Sequence, residues 1–547
     1  MFLQITGTGH GIGKELALRY ASLGATVVCW DVNQESNEET VNEIKKTGTA
    51  AAYAYQCDVS NREHVFSVAE RVKQEVGNVT ILVNNAGIMP CHTFLDHTTD
   101  EIKRIFDINV LAHFWMLQAF LPSMIEKNHG HVVALSSLAG IGGIPNLVPY
   151  CASKFAVRGL MESISEELRT STKGKSLIKF TTIYPYMVDT GLCKKPKIKF
   201  PSAMPLVSAG QAASRIIHAQ RCNYREKSVP PYWLLGNVLL SLFIMCILLI
   251  FDIFFFQFIM NAFNIIQILL NILRVTLQVL YYICQSVYYN FFGLEEKNVN
   301  GEIVLITGAG HGIGKELAIQ YACLGAKVVC LDINKQANEQ TAKEIKEIGK
   351  DAYAYECNVT KREDVFAVAK RVKEEVGDVT ILVNNAGIMP CHAFSDHMML
   401  QAYLPSMMKR NYGHIVALSS IAGIVGFPNL VPYSATKHAV LGMMEALEDE
   451  LHISNKGKSL IKFTTICPYM VDTGLCKKPK INKMLEIFLQ LSSPKDAAAQ
   501  IIKAQRQNIK IRSIPSFWFP LIKLIRILPE NAQIAIKDFI DTGLEPG

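Results

Sequence analysis

The chain has 547 residues, which at about 150 residues per domain predicts three or four units. Half of the residues are hydrophobic, 19% are charged and the net charge is +7. This excludes a disordered chain and a small disulfide scaffold, and it is apolar enough to predict a membrane element. The 55 Lys and Arg are interspersed with 48 Asp and Glu, without a basic-aromatic array, so nucleic acid is a poor candidate partner. The 14 cysteines form no C-x-x-C pair and no Cys/His cluster at metal spacing. That predicts a reducing compartment and no metal site. MFLQITGTGH at the start lacks the basic and apolar regions of a secretory signal, so none is expected.

Residues 1–228 form the first predicted domain. FLQIT (2–6), TVVCWDV (26–32), VTILVNN (79–85), GHVVALSS (130–137) and IKFTTIYP (178–185) predict buried strands. Residues 13–24, 61–77 and 154–170 carry helical periodicity. Strands alternating with helices predict the α/β class, a doubly wound parallel sheet of Rossmann type.

Residues 229–298 form the second predicted unit, a membrane-associated helical segment. Trp233–Phe251 is an uncharged run of 19 residues, about long enough to span a bilayer. After Asp252, Ile253–Leu273 is again uncharged, but Gln257, Asn261, Asn264, Gln267 and Asn271 give one helix face polar character. That predicts a helix lying in the interface or packed in a bundle. The aromatic stretch 281–293 suits a headgroup region. A hairpin or monotopic insertion is expected, keeping both flanking domains on the cytosolic side.

Residues 299–547 repeat the first domain and end in an apolar tail. ITGTGHGIGKELA (5–17) returns as ITGAGHGIGKELA (306–318), and 61–97 matches 361–397 at 29 of 37 positions. VPYCASKFAV (148–157) returns as VPYSATKHAV (431–440). The 17 residues Thr98–Phe114 have no counterpart in the second copy, which passes from His397 straight to MMLQAYLPSM.

Gly7, Gly9, Gly11 and Gly13 lie between an apolar strand and a helical pattern. Glycine permits a tight turn and close approach to a pyrophosphate, and the helix start supplies N–H groups. Asp31 ends the second strand, where a carboxylate accepts from ribose hydroxyls and repels a 2′-phosphate. NAD is therefore expected rather than NADP. The second copy repeats the set as Gly308, Gly310, Gly312, Gly314 and Asp332. Tyr150 and Lys154 are one helical turn apart, so they share a face. An adjacent ammonium lowers a phenol's pKa and makes tyrosine a usable base. Ser137 ends a strand 13 residues upstream of Tyr150.

With Thr6-Gly7…Gly11-Ile12-Gly13, Asn84-Asn85-Ala86-Gly87, Ser137 and Tyr150…Lys154, the chain resembles the short-chain dehydrogenases/reductases. The likeness covers about 1–225 and 301–530. WDVN, HFWM, LPSM and VPYCASKF resemble its membrane-associated subgroup of retinol and 17-beta-hydroxysteroid dehydrogenases. The resemblance implies that Tyr150 is the general acid/base, that Lys154 lowers its pKa and that Ser137 orients the substrate oxygen. It implies that Asn109 supports the lysine through water, that Asp58 contacts adenine, that Asn85 lines the cofactor cleft and that Thr190 meets the carboxamide. In the second copy the same roles fall to Ser420, Tyr433, Lys437, Asn385 and Thr473. The counterpart of Asn109 is missing there and Asn358 replaces Asp58, so that copy is expected to be impaired. The resemblance further implies a lipophilic alcohol or carbonyl substrate and an endoplasmic reticulum or lipid-droplet surface. It also implies pairing as a homodimer or as an intrachain pseudo-dimer.

The competing readings are a non-catalytic membrane or lipid-droplet protein and an NADP-dependent carbonyl reductase. KKPKIKF (194–200) reads as a solvated basic loop or, alternatively, as a contact with anionic lipid near the substrate portal, His10 and His311 as spacers in the glycine turns, and the Asn-Val-Thr sites at Asn78 and Asn358 as unused glycosylation acceptors.

Overall fold

The computed structural model describes residues 1–48, 50–192, 206–230, 294–387, 396–474, 491–528 and 530–540. It also describes Arg274, Leu277, Tyr281 and two short strands, Pro479–Lys480 and Gly543–Leu544. Residues 231–293 of the expected membrane segment, apart from those three residues, and the basic loop at 194–200 lie outside the described residues.

Apolar runs without polar alternation pair as parallel strands covered on both faces. In copy 1 these are β1 (Phe2–Thr6), β2 (Thr26–Asp31), β3 (Ala52–Gln56), β4 (Ile81–Asn84), β5 (His131–Leu135), β6 (Lys179–Pro185) and β7 (Glu226–Val229). Their order is β3-β2-β1-β4-β5-β6-β7, and all pairs are parallel. Every residue of β4 and β5 is buried. The helices are α1 (Gly11–Ser22), α2 (Gln34–Thr47), α3 (Arg62–Glu75), α4 (Thr99–Phe106), α5 (Ala112–Glu126), α6 (Val148–Ser171) and α7 (Ala209–Arg221). Asn33, Asn61 and Thr98 cap α2, α3 and α4 by accepting from backbone N–H groups. One π-helical turn, Asp107–Leu111, joins α4 to α5.

Copy 2 repeats the sheet with strands 352–356, 327–332, 303–307, 381–384, 414–418, 462–468 and 511–514 in the same order. Its glycine turn feeds α8 (Gly312–Cys323), and its long helix is α10 (Val431–Ser454). Between them α9 (Asp396–Arg410) stands alone where copy 1 has α4, the π turn and α5. α11 (Trp518–Ile527) and α12 (Glu530–Ile540) follow the last strand.

Among the described residues one stretch, Thr99–Glu126, is long and apolar enough to cross a membrane. Its apolar side instead fills the copy 1 core, where Met116, Leu117, Phe120, Leu121 and Met124 are buried.

The copies meet through α6 and α10, and one apolar cluster runs from Met161 and Leu168 into Met443 and Leu447. Four glycines make this close approach possible. A Cβ on Gly143 would collide with the Ala446 backbone, and one on Gly426 with the Ser163 backbone. Gly159 faces the His438 ring and Gly442 the Phe155 ring at the mirrored places. α11 and α12 lie over α6, where Arg526 pairs with Glu162 at 2.9 Å and Asp538 with Arg169 at 2.6 Å.

Candidate active site

The strand order reverses between β1 and β4, which opens a crevice at the carboxyl ends of the sheet, the usual ligand position in such folds. The β1–α1 glycine turn lies on one side. Gly7 and Gly11 have φ of 73° and 59°, in the region that favours glycine. A Cβ on Gly13 would overlap the Gly7 carbonyl, so the helix can approach this closely only as glycine. Asn85 secures the turn by donating from Nδ2 to the Thr6 carbonyl at 2.9 Å and the Gly7 carbonyl at 3.2 Å. Asp31 accepts from Gly9 N–H at 2.8 Å and Asn33 N–H at 2.9 Å, tying the turn to the end of β2. Thr190 packs against Gly11.

α6 starts beside the crevice with Pro149 in its first turn. Tyr150 is 6% exposed and Lys154 is 4% exposed. Lys154 Nζ donates to the Leu135 carbonyl at 2.9 Å and lies 5.6 Å from the centre of the Tyr150 ring. Burial pushes the Lys154 ammonium down to about 8. Ser137, two residues past β5, caps a short turn by accepting from Ala139 N–H. Gly7, Gly11, Asn85, Ser137, Tyr150, Lys154 and Thr190 all line one cavity of about 230 Å³. Its copy 2 counterpart gathers Gly308, Gly312, Asn385, Ser420, Tyr433, Lys437 and Thr473.

Asn109 sits in the π-helical turn and is 0% exposed. Its carboxamide accepts from Ile88 N–H, donates to the Ile88 carbonyl and donates to Ser153 Oγ, all within 3.1 Å. Asn109 Oδ1 and Lys154 Nζ flank Gly87, at 3.2 and 3.6 Å from where its Cβ would stand. Asp58 accepts from Ser60 N–H and Ser60 Oγ. Asn358 makes the same two bonds to Thr360 in copy 2.

The deletion in copy 2 leaves its lysine seated. Lys437 Nζ donates to the Leu418 carbonyl at 2.8 Å and lies 5.7 Å from the Tyr433 ring centre. The lysine is anchored by its own strand and helix, which the deletion does not touch. What changes is the wall: beside Gly387 only Lys437 Nζ and the Asn385 carbonyl come within 4 Å among the described residues. Ser420 also differs, because its Oγ donates to the Pro468 carbonyl at 3.3 Å. At the start of α9, burial pushes the Asp396 carboxyl up to about 6 against the opposing pull of Lys437.

Three contributors escape the motif reading. Ser136 Oγ donates to the Lys154 carbonyl at 2.8 Å, and a Cβ on Gly140 would strike that same carbonyl and hydroxyl. The recurrence of SSLAG (136–140) as SSIAG (419–423) was the available signal. His113 is buried, and burial with the Lys154 charge pushes it down to about 3, so it stands neutral beside the ammonium.

Residues 2–198 and 302–483 match the family described as short chain dehydrogenase. Over 215 residues the chain is 47% identical to short-chain dehydrogenase/reductase family 16C member 6 of Bos taurus, spanning 39% of this chain and 67% of that protein. It is 47% identical over 215 residues to epidermal retinol dehydrogenase 2 of Mus musculus, spanning 39% and 69%. It is 40% identical over 228 residues to 17-beta-hydroxysteroid dehydrogenase 13 of Homo sapiens, spanning 42% and 74%. The chain belongs to the short-chain dehydrogenase family and is an oxidoreductase.

Proposed function

We propose that copy 1 is a membrane-associated, NAD-dependent dehydrogenase that interconverts a lipophilic alcohol, of the retinol or 17-beta-hydroxysteroid type, and its carbonyl. The observation that carries this reading is the gathering of Tyr150, Lys154, Ser137 and the glycine turn around one cavity. The names of the relatives supply the substrate class. The uncharged runs at 233–273 favour attachment to a bilayer, where such substrates partition.

The residues fit a dinucleotide: the turn has no room for side chains, α1 presents its N–H groups and Asp31 ends β2. Asp31 also disfavours a 2′-phosphate at that edge. When bound, the nicotinamide supplies the hydride acceptor or donor at the carbinol carbon. Tyr150 takes the hydroxyl proton in oxidation and returns it in reduction. The Lys154 ammonium favours the phenolate through its charge. Ser137 donates to the substrate oxygen as charge develops there. Asn109 fixes the chain at Ile88 and Ser153, and so the wall behind Lys154.

Copy 2 is the weaker catalyst on this reading. It lacks the Asn109 carboxamide, and its serine hydroxyl is committed to Pro468. A structural role for copy 2 is the second reading that these two observations favour. The test is NADH production by the detergent-solubilised full chain with retinol or estradiol. Tyr150→Phe should abolish it. Turnover that persists in Tyr150→Phe and disappears in Tyr433→Phe would reverse the assignment.

A further inference from the structure

Copy 2 reaches into the walls of the copy 1 cavity. Glu450, on α10, is 7% exposed. Its Oε1 accepts from Phe94 N–H at 2.8 Å and its Oε2 from Asn146 N–H at 2.9 Å. Phe94 lies in the copy 1 loop after β4, and Asn146 in the loop between β5 and α6. Both loops wall the cavity, the first through Met89 and the second through Ile144 and Leu147. His92 N–H, donating to the Asn146 carbonyl at 3.1 Å, ties them together. Asn146 holds a φ of 61°, a left-handed conformation that an external partner helps to keep. Tyr150 follows it by four residues.

A buried carboxylate that accepts one N–H from each of two loops fixes their separation. Such charge-assisted bonds are stronger than neutral ones, and a buried carboxylate without donors is costly. Further copy 2 contacts reach the same copy 1 segment: Gln401 Nε2 donates to the His97 carbonyl and Arg362 Nη1 to Thr99 Oγ1. Glu167, at the mirrored place on α6, accepts from Asn429 N–H at 2.9 Å in copy 2.

We propose that Glu450 is a positioning residue for copy 1: the second copy supplies the carboxylate that sets the spacing of the two loops walling the first copy's substrate cavity. Copy 2 thereby completes the site of copy 1, whether or not it turns over itself. The inference rests on copy 1 being the alcohol-oxidising copy.

The test uses the full chain in a Tyr433→Phe background, so that turnover comes from copy 1. Glu450→Gln keeps the size but sets an amide NH₂ against one backbone N–H. The expected result is a rise of about tenfold in KM for retinol, with KM for NAD unchanged, because the glycine turn has no contact with Glu450. Glu450→Asp, which keeps the charge on a shorter arm, should recover part of the loss. Glu167→Gln should leave the copy 1 KM unchanged. Amide exchange at 92–98 and 142–147 reads the same contact without turnover, and should quicken in Glu450→Gln. Retinol kinetics and exchange equal to the parent would overturn the proposal. So would a loss of retinol and NAD affinity together with melting temperature, which marks general loosening. An inactive parent whose exchange still quickens would sink the alcohol reading and leave the loop contact standing.

Discussion

Lys154 Nζ lies 5.6 Å from the centre of the Tyr150 ring while it donates to the Leu135 carbonyl at 2.9 Å. The bond to the strand fixes the ammonium beside the ring, and on the proposed mechanism the two act as a pair. Tyr150→Phe should lower kcat at least about 100-fold without changing the melting temperature much, because the ring still packs. Lys154→Met should lower kcat and also raise KM for NAD. Steady-state kinetics beside thermal melts check both outcomes.

On the proposed function, Asn109 is the part of the apparatus that copy 2 lacks. Asn109→Leu should cut copy 1 turnover about tenfold or more, since it takes the Asn109 carboxamide away from the half-buried Ile88 N–H and carbonyl. The reverse experiment is sharper. Inserting Thr98–Phe114 after His397, in a Tyr150→Phe background, should raise NADH production. A chain that stays as inactive as Tyr150→Phe alone would count against the missing block as the cause.

Asp31 has two duties, and they separate by cofactor. Asp31→Ala should raise KM for NAD about tenfold, because Gly9 N–H loses its acceptor and the ribose loses another. The NADP-to-NAD ratio of kcat/KM should rise, because the repelling charge is gone. An unchanged ratio would remove Asp31 as the discriminator.

Burial holds His131 at about 4, with Nε2 on Thr181 Oγ1 and Nδ1 accepting from Gln220. His414 repeats this in copy 2, pushed down to about 3. Their folded pKa lies below the unfolded value, so only the unfolded chain takes the proton as pH falls below 6.5. Stability is therefore full at neutral pH and is lost on acidification, by up to about 2 kcal/mol per histidine between pH 6.5 and 5. Urea midpoints at pH 7 and 5 should fall less for His131→Gln than for the parent.

At the seam between the copies, Gly143 faces the Ala446 backbone with no space for a side chain. Gly143→Val should cost about 2 kcal/mol or more and should lower copy 1 turnover with it, because the same seam carries Glu450. Coupled losses in melts and kinetics are the expected outcome. Full activity with an unchanged melt would mean that the copies do not pack this closely in solution.

The sheet was legible because buried parallel strands are continuous apolar runs with glycine or asparagine at their ends. The five strands predicted in copy 1 correspond to β1, β2, β4, β5 and β6, whereas β3 and β7 went unnamed. AYAYQ and EKSV hold partly exposed or polar residues at the sheet edges, so their local pattern is weak. The motif residues were legible because chemistry demands both type and spacing: Tyr150 and Lys154 share a face only at a four-residue step. Asn85 lines the cavity and also spends its amide hydrogens on the glycine turn, a second role that its motif does not display.

The sequence by itself determined the duplication, the strand–helix alternation, the glycine turn and the Ser, Tyr and Lys set, since each depends on neighbours a few residues away or on an internal repeat. Tertiary structure alone decided which face of α6 meets α10, that Glu450 grips two loops more than 300 residues upstream, and that Lys437 keeps its seat without the missing block. These depend on backbone groups brought together by packing, and a backbone N–H carries no side-chain signature for a sequence to display.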